Sequence, residues 1–173
     1  VVGGGIIGLA TARSAIIRNP KQRVLVLEKE DCSTRHGSGR NSGVIHSGIY
    51  YDPGSLRANM CVKGAEQLCK YIDENRLWHD SCGKILLPTS DASLQNLKPL
   101  LDRAGQNGVL AYRLDSKEIH SLEPRANVQY NDGLFIPATR IVDPKEIVQH
   151  ITNEIIAKGV EIRFEQQVIA IDS

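Results

Sequence analysis

The sequence predicts an α/β chain: a Rossmann-like dinucleotide-binding domain interrupted by an inserted α+β portion. Three observations carry that expectation. Residues 1–8 read Val-Val-Gly-Gly-Gly-Ile-Ile-Gly, which sets Gly3, Gly5 and Gly8 in G-x-G-x-x-G register. The apolar run Val24-Leu25-Val26-Leu27 then ends at Glu28, 20 residues after Gly8. Near the end, Asp143-Pro144-x-Glu146 opens a helix that leads into the alternating strand Val160-x-Ile162-x-Phe164.

Each element has a physical reason. The first glycine makes a sharp strand-to-helix turn, the second lets backbone approach a pyrophosphate, and the third lets helix and strand pack closely. Leu9, Ala12 and Ile16 continue at helical spacing, and Asn19-Pro20 ends that helix. The apolar run suits a parallel strand buried on both faces. Glu28 at its end accepts both hydroxyls of an adenosine ribose and repels a 2′-phosphate, which disfavours NADP. This unit calls for an ADP-bearing cofactor without separating FAD from NAD.

Residues 31–54 lack any helical period and are rich in Gly, Ser, Asn and His; a loop that long in a compact domain is usually functional. Ser55 caps a helix reaching about Asn75, with Ala58, Cys61, Ala65, Leu68 and Ile72 on one face. Lys84-Ile85-Leu86-Leu87-Pro88 reads as a strand. Leu94, Leu97, Leu101 and Ala104 mark a helix that carries Pro99 in its middle and ends at Gly105 to Gly108. Asp115-x-x-Glu118 is a capping box, and Leu134-Phe135-Ile136 a strand. Asp143 caps the last helix with Pro144 at its first position and a reciprocal Glu146; Ile147, Ile151 and Ile155 form its stripe, and Gly159 closes it. The expected division is residues 1–75 with 143–173 as the nucleotide-binding domain, and 76–142 as part of a substrate or cap domain.

Composition excludes several classes. The 173 residues carry a net charge of +1, which gives no argument for nucleic acid or an anionic membrane. No run approaches the roughly 20 apolar residues that span a bilayer. Cys32, Cys61, Cys69 and Cys82 lack metal-site spacing, as do His36, His79, His120 and His150, so no metal is expected. Cys61 and Cys69 suit buried free thiols. The chain opens two residues before the glycine loop and ends on Val168-Ile169-Ala170-Ile171-Asp172-Ser173, which reads as a strand just beginning. A fragment truncated at both ends is expected.

The most informative stretch is His36-Gly37-Ser38-Gly39-Arg40-Asn41-Ser42-Gly43-Val44-Ile45-His46-Ser47-Gly48-Ile49-Tyr50-Tyr51. Its small residues suit close approach to a flat, extended ligand, Arg40 and Asn41 suit phosphate or ribitol oxygens, and His46 suits a place beside a redox ring. With Gly3, Gly5, Gly8 and Glu28, this run resembles the D-amino-acid-oxidase (DAO) type of FAD-dependent oxidoreductase. The continuation through Pro53-Gly54-Ser55-Leu56 to Cys61-Val62-x-Gly64, with Cys82-Gly83-Lys84 and Ile141-Val142-Asp143, is similar to the branch that oxidises a 2-hydroxy dicarboxylate. His36-Gly37-Ser38-Gly39 replaces the usual His-Gln-Thr-Gly, Arg57 a common lysine, and Arg140 a common glycine. An arginine resists the positive φ that glycine accepts.

The resemblance implies the FAD/NAD(P)-binding fold of DAO type and FAD as cofactor. It also implies oxidation of L-2-hydroxyglutarate to 2-oxoglutarate by hydride transfer to flavin N5, with electrons passed to a non-NAD acceptor such as a quinone or electron-transfer protein. The expected cofactor contacts are Gly3, Gly5, Ile6, Gly8, Glu28, Lys29, Ser38, Arg40, Asn41, Ser42, Gly43, His46 and Val168. His46 is the candidate catalytic base, with flavin hydrogen bonding, covalent flavin attachment and a structural loop role as its alternatives. Tyr50 and Tyr51 suit packing at a domain junction, and Arg57, Lys63 or Arg140 suit a substrate carboxylate. Mitochondrial location is implied for a eukaryotic source, otherwise cytoplasmic or peripheral to the inner membrane. Two other readings stand beside this one: an amine or amino-acid oxidase of the same fold that releases hydrogen peroxide, and a truncated nucleotide-binding module inactive by itself.

Overall fold

The computed structural model describes residues 1–171, which divide into two compact units: Val1–Gly43 with the segment from Asp143 onward, and Val44–Val142. The first unit is the βαβ frame. Val2 bridges Leu27 in parallel, helix α1 (Ile6–Arg18) follows the glycine loop, and strand β1 (Leu25–Leu27) returns beneath it. Leu9, Ala12 and Ile16 are the buried face of α1, as their spacing predicts. A single 3-10 turn over 37–39 interrupts the long loop.

The C-terminal segment rejoins this frame. Its helix and strand are α6 (Pro144–Ala157) and β8 (Glu161–Arg163); β8 lies parallel to β1, with Val26 opposite Ile162. Asp143 accepts the Lys145 and Glu146 N–H groups, so the aspartate cap and Pro144 start α6 as expected. At its other end Gly159 N–H reaches the Ile156 carbonyl at 2.9 Å and Val160 N–H the Ile155 carbonyl at 3.0 Å. That paired closure is a Schellman motif. Arg13 on α1 meets Glu154 on α6 at 2.6 Å. Residues 168–171, expected to begin a strand, form none: Ile169 and Ile171 are 91% and 80% exposed. A strand exists only in a ladder, and among the described residues none pairs with them; residues 172–173 of that expectation lie outside the described residues.

The second unit carries two three-stranded antiparallel sheets. One has the order β2 (Val44–Ile45), β7 (Arg140–Val142), β3 (His79–Asp80); the other β4 (Lys84–Leu86), β6 (Gly133–Ile136), β5 (Tyr112–Leu114). Helix α2 (Leu56–Asn75) is capped by Ser55, whose hydroxyl accepts Ala58 N–H. The reading from sequence grouped 44–75 with the nucleotide-binding part, yet α2 packs within the second unit. Val62 lies against the core of Ile49, Leu97, Ala104, Val109, Leu134 and Ile136, and Asp73 meets Arg140 at 2.7 Å.

The expected single helix around Pro99 is two, α3 (Asp91–Gln95) and α4 (Leu97–Gln106), with the break at Asn96. Proline has no N–H to bond four residues back, so it is tolerated only in a first turn, and α4 begins where Pro99 falls in one. The capping box at Asp115 and Glu118 forms as its spacing predicts and starts α5 (Ser116–Leu122). Arg140 takes an ordinary strand conformation, paired with Ile45, so no positive φ is needed there.

Candidate functional site: a nucleotide-binding loop and two histidine-lined cavities

The glycine loop is shaped by backbone constraints. Gly3 has φ +93°, open to glycine at no steric cost. A Cβ at Gly8 would stand 1.8 Å from the Gly3 carbonyl oxygen, so any side chain there forces helix and strand apart. Helix α1 starts at Gly5 with no side-chain cap of its own and no acidic residue in its first turn. One first-turn donor, Ile6 N–H, is held by Ser38 Oγ at 2.9 Å. An uncapped helix start of this kind attracts an anion through its free N–H groups and its dipole.

Beside the loop lies a cavity of about 300 Å³ lined by Gly3, Gly5, Glu28, Lys29, Ser38 and Val168 among the expected residues. Glu28 is buried, with one carboxylate oxygen accepting Gly4 N–H at 2.5 Å and the other Glu30 N–H at 2.9 Å. Each oxygen keeps a second lone pair for a hydroxyl donor. Lys29 stands near Glu30 at 3.4 Å.

Among the lining residues outside the expected contacts, Cys32, Ser33, Arg35 and His36 belong to one loop. Their only signal was position in the loop that follows Glu28. Ser33 matters most, because its buried hydroxyl oxygen has no hydrogen-bond partner among the described residues. A buried polar atom without a partner costs free energy that a bound group relieves. His36 Nε2 lies 2.7 Å from Glu30 Oε1 and holds that carboxyl below its ordinary range. Arg35 grips Asp31 through two contacts, which lowers the Asp31 carboxyl to about 2. The orphaned Ser33 hydroxyl, the uncapped helix start and the open lone pairs of Glu28 together fit an ADP-bearing group.

The remaining expected contacts divide. Asn41 spends its side chain on the loop: Nδ2 donates to the Gly37 and Ser38 carbonyls at 3.0 and 3.2 Å, and Oδ1 accepts Gly43 N–H at 2.9 Å. Arg40 and Ser42 are exposed, and Arg40 has no ionic partner among the described residues. Neither they nor Gly43 line the 300 Å³ cavity.

In the second unit, His46 follows β2 directly. Its carbonyl accepts the Cys61 thiol proton at 3.4 Å, and burial pushes that thiol above its ordinary range. The His46 ring is exposed and has no hydrogen-bond or ionic partner among the described residues, so the structural loop role has no bond to rest on. His46 lines two cavities. One, of about 500 Å³, also touches Cys69, Glu66 and Arg140. The other, of about 140 Å³, runs from His46 to Tyr51 and includes Lys84 and Thr139. Of the cations considered for a carboxylate, Arg140 is engaged by Asp73, while Arg57 and Lys63 are exposed and line neither cavity.

Comparison with known proteins places this architecture. The model of the DAO family, FAD dependent oxidoreductase, matches residues 1–173. The mitochondrial L-2-hydroxyglutarate dehydrogenase of Dictyostelium discoideum is 44% identical over 91% of the chain, and the L-2-hydroxyglutarate dehydrogenase of Salmonella houtenae 37% over 99%. The chain spans only 36% and 40% of those two proteins. Among solved structures, the FAD-bound L-alpha-glycerophosphate oxidase of Mycoplasma pneumoniae superposes with a TM-score of 0.86 at 27% identity, over 97% of this chain and 44% of that one. A glycine loop of this geometry in a family match over the whole length has one conclusion: the chain belongs to the FAD-dependent oxidoreductase family.

Proposed function

We propose that this chain forms the FAD-binding part, with a portion of the substrate site, of an enzyme that oxidises L-2-hydroxyglutarate to 2-oxoglutarate. The observation that carries the reading is the 37–44% identity, over nearly the whole chain, to proteins named for that reaction. The chemistry that bound FAD would supply is acceptance of the hydride equivalent from the substrate Cα, with electrons then handed to an acceptor other than NAD, such as a quinone or an electron-transfer protein.

The chain's own residues do the rest. The α1 start would receive the pyrophosphate, Glu28 would accept the ribose hydroxyls, and the Ser33 hydroxyl would gain a partner. Arg40, exposed and free of an ionic partner among the described residues, is available to phosphate. His46 takes the substrate hydroxyl proton on its unoccupied imidazole, while Cys61 fixes its main chain. Among the described residues no helix is long and apolar enough to cross a membrane. Eukaryotic relatives carry mitochondrial names, which favours that location for a eukaryotic source.

The decisive measurement is anaerobic dye reduction by the flavin-loaded holoenzyme. L-2-hydroxyglutarate should reduce the dye, and D-amino acids or sarcosine should not. Turnover of the amines with none of the hydroxy acid would replace this reading with an amine oxidase.

A further inference from the structure

We infer that the 140 Å³ cavity is a carboxylate-binding subsite in which Lys84, Tyr50 and Thr139 hold the end of the substrate remote from its hydroxyl; the inference rests on the dicarboxylate reading above. Its lining is rich in donors and contains no acidic residue. Lys84, half-buried at the start of β4, places Nζ 3.0 Å from Tyr50 Oη and 4.7 Å from the centre of that ring. The ammonium has three donors, and no carboxylate pairs with it among the described residues. Tyr50 Oη accepts from Lys84, which leaves its own proton available to donate. Thr139, 3% exposed in the turn between β6 and β7, has a buried hydroxyl with no partner among the described residues. A cation and two hydroxyl donors, one of them orphaned, call for an anionic acceptor.

The cavity is also held in shape. Asn107 Nδ2 donates to the carbonyls of Gly48 and Tyr51 at 3.1 and 2.9 Å, and Arg103 to that of Tyr50 at 3.0 Å. Three carbonyls of one turn are thus tied to the last turn and C-cap of α4, which removes acceptors from the cavity and fixes Tyr50 against Lys84. His46 lines the same cavity. A 2-hydroxy dicarboxylate anchored there by its far carboxylate has its hydroxyl end directed along the wall that carries the proposed base.

The test uses the flavin-loaded holoenzyme and glutarate, a dicarboxylate with no hydroxyl to oxidise, titrated while the visible flavin spectrum is followed. Glutarate should perturb the spectrum of the parent protein, and Lys84→Met should weaken its binding by about tenfold or more. Lys84→Arg should restore part of the loss, and Thr139→Val should weaken binding by about threefold to tenfold. With L-2-hydroxyglutarate the same variants should raise KM and leave kcat within about threefold, as expected when uniform binding is lost. Unchanged glutarate affinity in both Lys84→Met and Thr139→Val overturns the subsite, as does a parent spectrum that glutarate never moves. A parent protein that binds glutarate through Lys84 but does not oxidise L-2-hydroxyglutarate keeps the subsite and overturns the functional reading instead.

Discussion

The two units build their cavities by different means. In the first, the cavity is written in backbone: an uncapped helix start, a positive-φ glycine and a glycine with no room for a Cβ. In the second, the 140 Å³ cavity is lined by His46, Tyr50, Lys84 and Thr139, drawn from a loop, a strand and a turn spread over 94 positions (46 to 139, both included). Backbone recognition needs consecutive residues, because φ, ψ and amide direction are local properties. Side-chain recognition needs only that the fold bring chemistry together. The first kind tolerates almost no substitution at its glycines; the second loses one interaction at a time.

The largest expected effect follows from that contrast. Gly8→Val inserts a branched Cβ where an added Cβ already meets the Gly3 carbonyl oxygen at 1.8 Å. The holoenzyme should lose its flavin and about 3 kcal/mol or more of stability. Flavin-to-protein ratio and urea unfolding measure both. A Gly8→Val protein that retains a full complement of flavin would break the claim that backbone geometry builds this site.

In the side-chain unit the corresponding change is His46→Gln. The ring is exposed and free of hydrogen-bond partners among the described residues, so its loss should leave flavin content and stability near the parent values. Its kcat with L-2-hydroxyglutarate should fall by about 100-fold or more, the usual worth of a positioned base. A kcat near that of the parent would remove His46 from proton transfer.

How much was legible from sequence follows the same division. Gly3, Gly8, Glu28 and the α1 stripe were readable because turn, helix and strand each have a local period or a fixed residue requirement. The strands β2, β3 and β7 have two or three residues each, too few to show alternation, and exist because they pair with one another across long separations. Ser33 gave no signal because an orphaned hydroxyl is a property of packing. Lys84 was visible as the first residue of a strand and as part of the Cys82-Gly83-Lys84 resemblance, with no binding role attached, and Thr139 belonged to no predicted element. Their joint meaning appears once the register sets Lys84 opposite Ile136, at the end of the strand from which the Thr139 turn departs.

A smaller effect tests the electrostatics of the second unit. Asp132 is buried and accepts two contacts from Arg113, one from Nε at 2.7 Å, which keeps its carboxyl below the ordinary range. Because the folded-state value is depressed, the stabilisation is present above the unfolded value near 3.8 and is lost as pH falls through the folded one. Asp132→Asn should cost about 1–2 kcal/mol at pH 7, at the low end for a charged hydrogen bond because Arg113 remains mostly exposed. The difference between parent and variant should shrink as the pH is lowered from 4 toward 2. Equal cost at pH 7 and pH 2 would mean that shape, not charge, holds this strand end.

The smallest effect sharpens the comparison most, because it concerns a side chain inside the backbone-built site. Ser38 Oγ accepts Ile6 N–H, and a Cβ on Gly5 would stand 2.9 Å from that oxygen, so Ser38 fills the space that Gly5 leaves open. Removing the hydroxyl frees one first-turn donor at the helix end proposed to receive the pyrophosphate. Two consequences oppose each other: the loop loses an internal tie worth about 1 kcal/mol, while the cofactor gains access to one more N–H. Ser38→Ala should therefore lower thermal stability slightly and change FAD affinity by less than about tenfold, or 1.4 kcal/mol. Isothermal titration of the apoprotein with FAD separates the two readings of this residue. A loss near a hundredfold would make Ser38 a direct cofactor contact, adding a side chain at the helix start to those proposed at Glu28 and Ser33.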